Sequence, residues 1–126
     1  MSWPRAHWLV GMLTLVLFLS GGAYMRYIAL VPEMEDAPRM IYRSRFLFLL
    51  LAAVANFALS GVQPGRTIQK TASALILAAP FPLIASFFID AGRGVASSPW
   101  TVWTMRSLFA AALLLAFANR PRPKSV

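Results

Sequence analysis

Large apolar residues run without polar alternation through four stretches of this chain, at about 8–28, 43–62, 71–90 and 99–119. Each is close to the roughly 20 residues that carry an α-helix across a bilayer. A transmembrane β-strand would instead alternate lipid-facing and inward-facing positions, and none of the four stretches does. The pattern predicts an all-α integral membrane protein, a single domain over 1–126 in which four transmembrane helices form an up-down bundle.

The connectors differ in character. The first, reaching to about Arg45, is the longest and most polar. It carries Glu33, Glu35 and Asp36 between Pro32 and Pro38, then Arg39, Arg43 and Arg45. Prolines at both ends restrict the backbone and predict an ordered turn. Gln63-Pro64-Gly65-Arg66 reads as a compact turn, and Asp90-Ala91-Gly92-Arg93-Gly94 as a short glycine-rich one that makes the third and fourth spans antiparallel neighbours. Ser98-Pro99-Trp100 has the form of an N-cap followed by proline at the first helical position. The basic, proline-broken segment 120–126 is expected to be a disordered tail.

At the N-terminus, Arg5, the run Leu9–Leu19 and Ser20-Gly21-Gly22-Ala23 share the layout of a signal peptide with a small-residue cleavage site. The apolar run extends from Trp8 to Tyr24, however, and three further spans follow, so a retained first helix is expected.

Composition fits this picture. Hydrophobic residues make up 59% of the chain and charged residues 13%, against about 25% charged in a typical globular domain. The net charge of +8 does not imply a nucleic-acid partner, because the basic residues sit at span ends and in connectors instead of along one stripe. In those places they set topology and meet lipid headgroups. The expected partners are the lipid bilayer and other membrane proteins, or further copies of this chain in a homo-oligomer.

Cysteine is absent, which excludes thiol redox chemistry and cysteine-ligated metals. His7 is the single histidine, so paired axial ligation of haem is excluded too. No cofactor is expected. Counting Arg106, six cationic side chains fall on each side of the membrane, so the positive-inside rule does not discriminate on totals. The basic tail and Arg5 favour both termini in the cytoplasm, in a bacterial inner or plasma membrane.

Four hairpin-connected spans place Arg26, Arg43, Arg45, Asp90, Arg93 and Arg106 on one membrane face together with every acidic residue of the chain. Arg106 lies about 9 Å along the fourth helix from Trp100. At that depth it must snorkel to headgroups or pair, and Asp90 is the partner within geometric reach. The clustered acids of the first connector match no metal loop, and the neighbouring arginines make them a salt-bridged surface. Deeper in, Asn56 is the one strongly polar side chain, expected near the middle of the second span. With Ala52 and Ser60 it forms a small or polar stripe suited to close helix packing. Pro80 and Pro82 each remove a helical hydrogen bond, so the third helix is expected to kink or open there. Trp3 and Trp8 on one side, and Tyr24, Tyr27, Tyr42, Trp100 and Trp103 on the other, read as interfacial belts.

No nucleophile–base pair, metal cluster or phosphate loop accompanies these residues. The expectation is a non-catalytic accessory or assembly component of a membrane complex. The alternative is a small oligomeric transporter or channel using Asn56, Pro80, Pro82, Asp90 and Arg106. An enzyme acting on lipid through the acidic connector ranks third.

Overall fold

The computed structural model describes residues 2–94 and 98–119. In chain order it contains α1 (Trp3–Tyr27), a 3-10 turn (Val31–Glu33), α2 (Asp36–Leu59), α3 (Thr67–Ala78), α4 (Pro80–Ala85), a π-helical turn (Ser86–Asp90) and α5 (Pro99–Ala118). The segments from α3 to the π turn together make one span, Thr67–Asp90. With α1, α2 and α5 this gives four helices among the described residues that are long and apolar enough to cross a membrane. The tail expected at 120–126 lies outside the described residues, as does the end of the third connector.

Cross-contacts fix the relative directions. His7 meets Asn56 and Phe18 stacks on Phe46, so α1 and α2 run antiparallel. Asn56 meets Ile76 while Tyr42 meets Phe87, which sets span three against α2. Ser86 bonds Thr101, and the Arg66 guanidinium donates to the Ala118 carbonyl at 3.0 Å, which sets α5 against span three. Consecutive spans thus alternate in direction, with α1 packed mainly on α2 and α3 mainly on α5.

The helices are amphipathic in the sense that lipid demands. The inward stripe of α1 is His7, Gly11, Thr14 and Gly21, while Trp8, Leu9, Leu13, Val16 and Leu19 point outward. On α5, Thr101, Thr104, Leu108 and Ala111 face in, and Trp100, Trp103, Phe109 and Phe117 face out. With hydrocarbon as solvent, large apolar residues gain nothing by turning inward, and small or weakly polar ones let backbones approach. Gly11 shows this directly, because a Cβ there would stand 3.1 Å from the Phe57 ring. The centre of the bundle is filled by Leu49, Leu83 and Phe87.

Several boundaries depart from the hydropathy pattern. Helix α2 begins at Asp36, so Arg39, Arg43 and Arg45 belong to a helix and not to a connector. Pro38 is tolerated because the first turn of a helix has no use for its N–H, and Asp36 pairs with Arg39 one turn on. The same helix stops at Leu59, which puts Asn56 in its last turn instead of at mid-span. Tyr24 and Tyr42 leave the interfacial belt and turn their edges to Phe87, at 6.0 and 5.9 Å between ring centres. Trp8, Tyr27, Trp100 and Trp103 stay exposed, as the belt requires. Span three is interrupted at Ala79 but does not open. Ala79 keeps right-handed helical angles (φ −57°, ψ −38°) and its N–H still bonds the Leu75 carbonyl at 3.1 Å. Before α5, the Ser98 hydroxyl accepts from the Thr101 N–H at 3.3 Å, the N-cap expected of Ser98-Pro99.

Candidate functional site

Three polar constellations and two cavities concentrate what chemistry the bundle has. The first constellation joins three spans. Asn56 is fully buried; its Oδ1 lies 2.8 Å from His7 Nδ1, and its Nδ2 donates to the carbonyls of Ala52 (2.9 Å) and Ile76 (3.2 Å). Ile76 is four residues before Pro80, so its carbonyl lacks the usual i+4 donor, and Asn56 supplies one. Both protons of the amide are engaged, so Asn56 acts as a polar clamp between helices, in keeping with the packing role its small-residue stripe predicts. His7, buried beside it, lies just before the first apolar stretch, where hydropathy does not mark it. The spacing His7, Gly11, Thr14 in an otherwise bulky helix is the signal that marks it as inward-facing.

The second constellation is Arg45 and Asp90, 4% and 7% exposed, which attract each other electrostatically between α2 and the end of span three. Arg45 also lies over the Phe48 ring at 5.8 Å. Of the two arrangements open to Arg106, the pair with Asp90 does not form. Thr104 faces the bundle, and two residues later the helix has turned by about 200°. Arg106 therefore projects outward, exposed, with its guanidinium 5.7 Å from the centre of the Trp103 ring. Snorkelling along α5 describes it. The third constellation is the Ser86–Thr101–Ser98 hydroxyl chain, which ties the π turn to the start of α5.

One cavity, of about 580 Å³, is a groove between span three and α5. Its walls are Phe81, Pro82, Ile89, Trp100 and Trp103, its floor includes Ala78, Ala79 and Ala85, and Asp90 closes one end. Oδ2 of Asp90 is buried and has no hydrogen-bond partner among the described residues. Pro82 removes the usual donor of the Ala78 carbonyl on this same wall. Pro80, by contrast, is buried against the bundle.

The other cavity, of about 680 Å³, opens where α1 ends and α2 begins. Arg26, Glu33 and Arg43 line it above Gly22, Met25 and Phe46. Of the expected site residues, then, the structure groups Arg26 with Arg43, Arg45 with Asp90, Asp90 with Pro82, and Asn56 with the gap that Pro80 leaves, while Arg106 stands apart. Among the described residues no three His, Asp or Glu side chains gather as metal ligands would. No family model matches the chain, and neither does any curated protein or solved structure.

Proposed function

We propose that this small multi-pass membrane protein is a non-catalytic accessory or assembly component, and that the groove between span three and α5 seats a transmembrane helix of a partner protein. The observation that carries this reading is the groove itself, walled by exposed Phe81, Trp100 and Trp103 and floored by alanines that allow a partner's backbone to approach closely. Asn56 supports the same reading, since its hydrogen bonds hold the bundle together and leave it no free donor for a solute.

A second reading, a small oligomeric transporter, rests on the same groove. A carboxylate beside Trp100 and Trp103 suits an amphipathic cation. The test is purification in mild detergent from native membranes. Under the accessory reading, one larger complex co-purifies and is lost when Ala85→Trp fills the groove of a still-folded protein. If the chain purifies alone and drives cation flux in liposomes that Asp90→Asn abolishes, the accessory reading fails.

A further inference from the structure

The cavity between the end of α1 and the start of α2 has a built chemical gradient. At its rim stand two guanidiniums, Arg26 in the last turn of α1 and Arg43 about 10 Å into α2, with the carboxylate of Glu33 beside them. Below the rim the lining turns apolar at Gly22 and Phe46, and Phe46 is itself held by stacking on Phe18 at 4.0 Å. Among the described residues neither Arg26, Arg43 nor Glu33 has a hydrogen-bond or ion-pair partner in the protein. The rim thus carries a net charge of +1, with its donors unspent. Arg39, by contrast, spends its donors on Asp36, and Arg66 donates to a helix-end carbonyl.

We infer that this cavity binds a net-anionic glycerophospholipid, with Arg26 and Arg43 donating to its phosphate oxygens, Glu33 accepting from a headgroup hydroxyl, and the first acyl carbons lying on Phe46 and Gly22. The planar fork of a guanidinium matches a phosphate bidentately. Its depth at the ends of two spans is that of the headgroup layer. An apolar floor is what separates a lipid from a free anion: inorganic phosphate would leave Phe46 and Gly22 uncovered. The net +1 charge of the rim favours a headgroup with one negative charge over a zwitterion. Gly22 keeps the floor open, because a Cβ there would stand 3.4 Å from the Phe46 ring and a longer side chain would occupy the cavity.

The experiment is native mass spectrometry of the intact protein released from detergent containing phosphatidylglycerol, phosphatidylcholine or inorganic phosphate. Phosphatidylglycerol should remain as a discrete one-to-one adduct. Arg26→Gln or Arg43→Gln should each lower its retention by about tenfold, the scale of one charge-assisted hydrogen bond. Gly22→Leu should abolish it with every charge in place, and Arg106→Gln should change nothing. Equal retention of phosphatidylcholine overturns the anionic assignment. Retention of inorganic phosphate, lost on the same arginine substitutions, overturns the lipid in favour of a free-anion site. An Arg106→Gln effect equal to that of Arg43→Gln means non-specific annular lipid and sinks the site. Should the arginine variants fail to fold, Gly22→Leu decides alone: undiminished binding there refutes the inference.

Discussion

Asn56 donates from Nδ2 to the carbonyl of Ile76 at 3.2 Å, and that carbonyl is the one whose helical donor Pro80 takes away. A defect in one helix and a polar residue in another thereby answer each other inside the bilayer, where an unpaired backbone group costs several kcal/mol. The relationship predicts non-additivity. Asn56→Ala should lower stability by about 1–2 kcal/mol. In a Pro80→Ala background, where Ile76 regains its helical donor, the same substitution should cost measurably less, by about 0.5–1 kcal/mol. Reversible unfolding in detergent, run as a double-mutant cycle, provides the measurement. Equal costs in the two backgrounds would show that Asn56 does not serve the Pro80 gap.

The same amide dictates the state of His7. Both Nδ2 contacts are carbonyl oxygens, which only accept, so the amide orientation is fixed and Oδ1 is what faces His7. His7 must therefore present Nδ1–H to it, and in the neutral ring Nε2 is left as a buried lone pair without a described partner. Nitrogen-15 spectra of histidine-labelled protein should show the Nδ1–H tautomer, the minority form of free imidazole. His7→Asn, which keeps a donor near the Nδ1 position, should retain more thermal stability than His7→Leu. A dominant Nε2–H signal would mean the network is wired the other way.

Much of the architecture was legible because lipid imposes it. The four spans, the exposed belt at Trp8, Tyr27, Trp100 and Trp103, and the Ser98 cap follow from length, amphipathy and local hydrogen bonding. What hydropathy hides is azimuth. It gave the depth of Arg106 but not its direction; the inward stripe Thr101, Thr104, Leu108 and Ala111, small or weakly polar among bulky neighbours, carries that information. Register was hidden as well. That residue 7 stands beside residue 56 depends on the close approach at Gly11 and on where α2 stops, and both are non-local outcomes. The polar first half of α2 read as a connector for a simple reason: its arginines lower the hydropathy while leaving helix formation unimpaired.

Arg45 and Asp90 define a sharp contrast with Arg106. Arg45→Ala or Asp90→Ala should each cost about 1–3 kcal/mol, because the surviving buried group loses an opposite charge that attracts it. The double variant Arg45→Met, Asp90→Leu should recover most of that loss, since an apolar pair of similar volume needs no compensation. Arg106→Ala should change stability by no more than about 0.5 kcal/mol, as its side chain is exposed beside Trp103. Denaturation midpoints in one detergent suffice for the comparison. If Arg106→Ala proves the most damaging of these single substitutions, the charge assignment between α2 and span three is wrong.

Alternation of the spans separates the chain into two ends, and the absence of native cysteine makes each end addressable with one thiol. Glu35, before α2, and Gly61, just after it, are both exposed and lie a full helix of 24 residues apart, about 36 Å at the helical rise. With both termini in the cytoplasm, Gly61 shares their side and Glu35 faces outward. In intact cells an impermeant maleimide should label Glu35→Cys and spare Gly61→Cys until the membrane is permeabilised. The reverse pattern keeps the alternating bundle but inverts it, so that the basic rim of Arg26 and Arg43 meets the cytoplasmic leaflet. Labelling of both sites in sealed cells would contradict α2 as a membrane span, and with it the antiparallel seams that His7, Asn56 and Ile76 hold together.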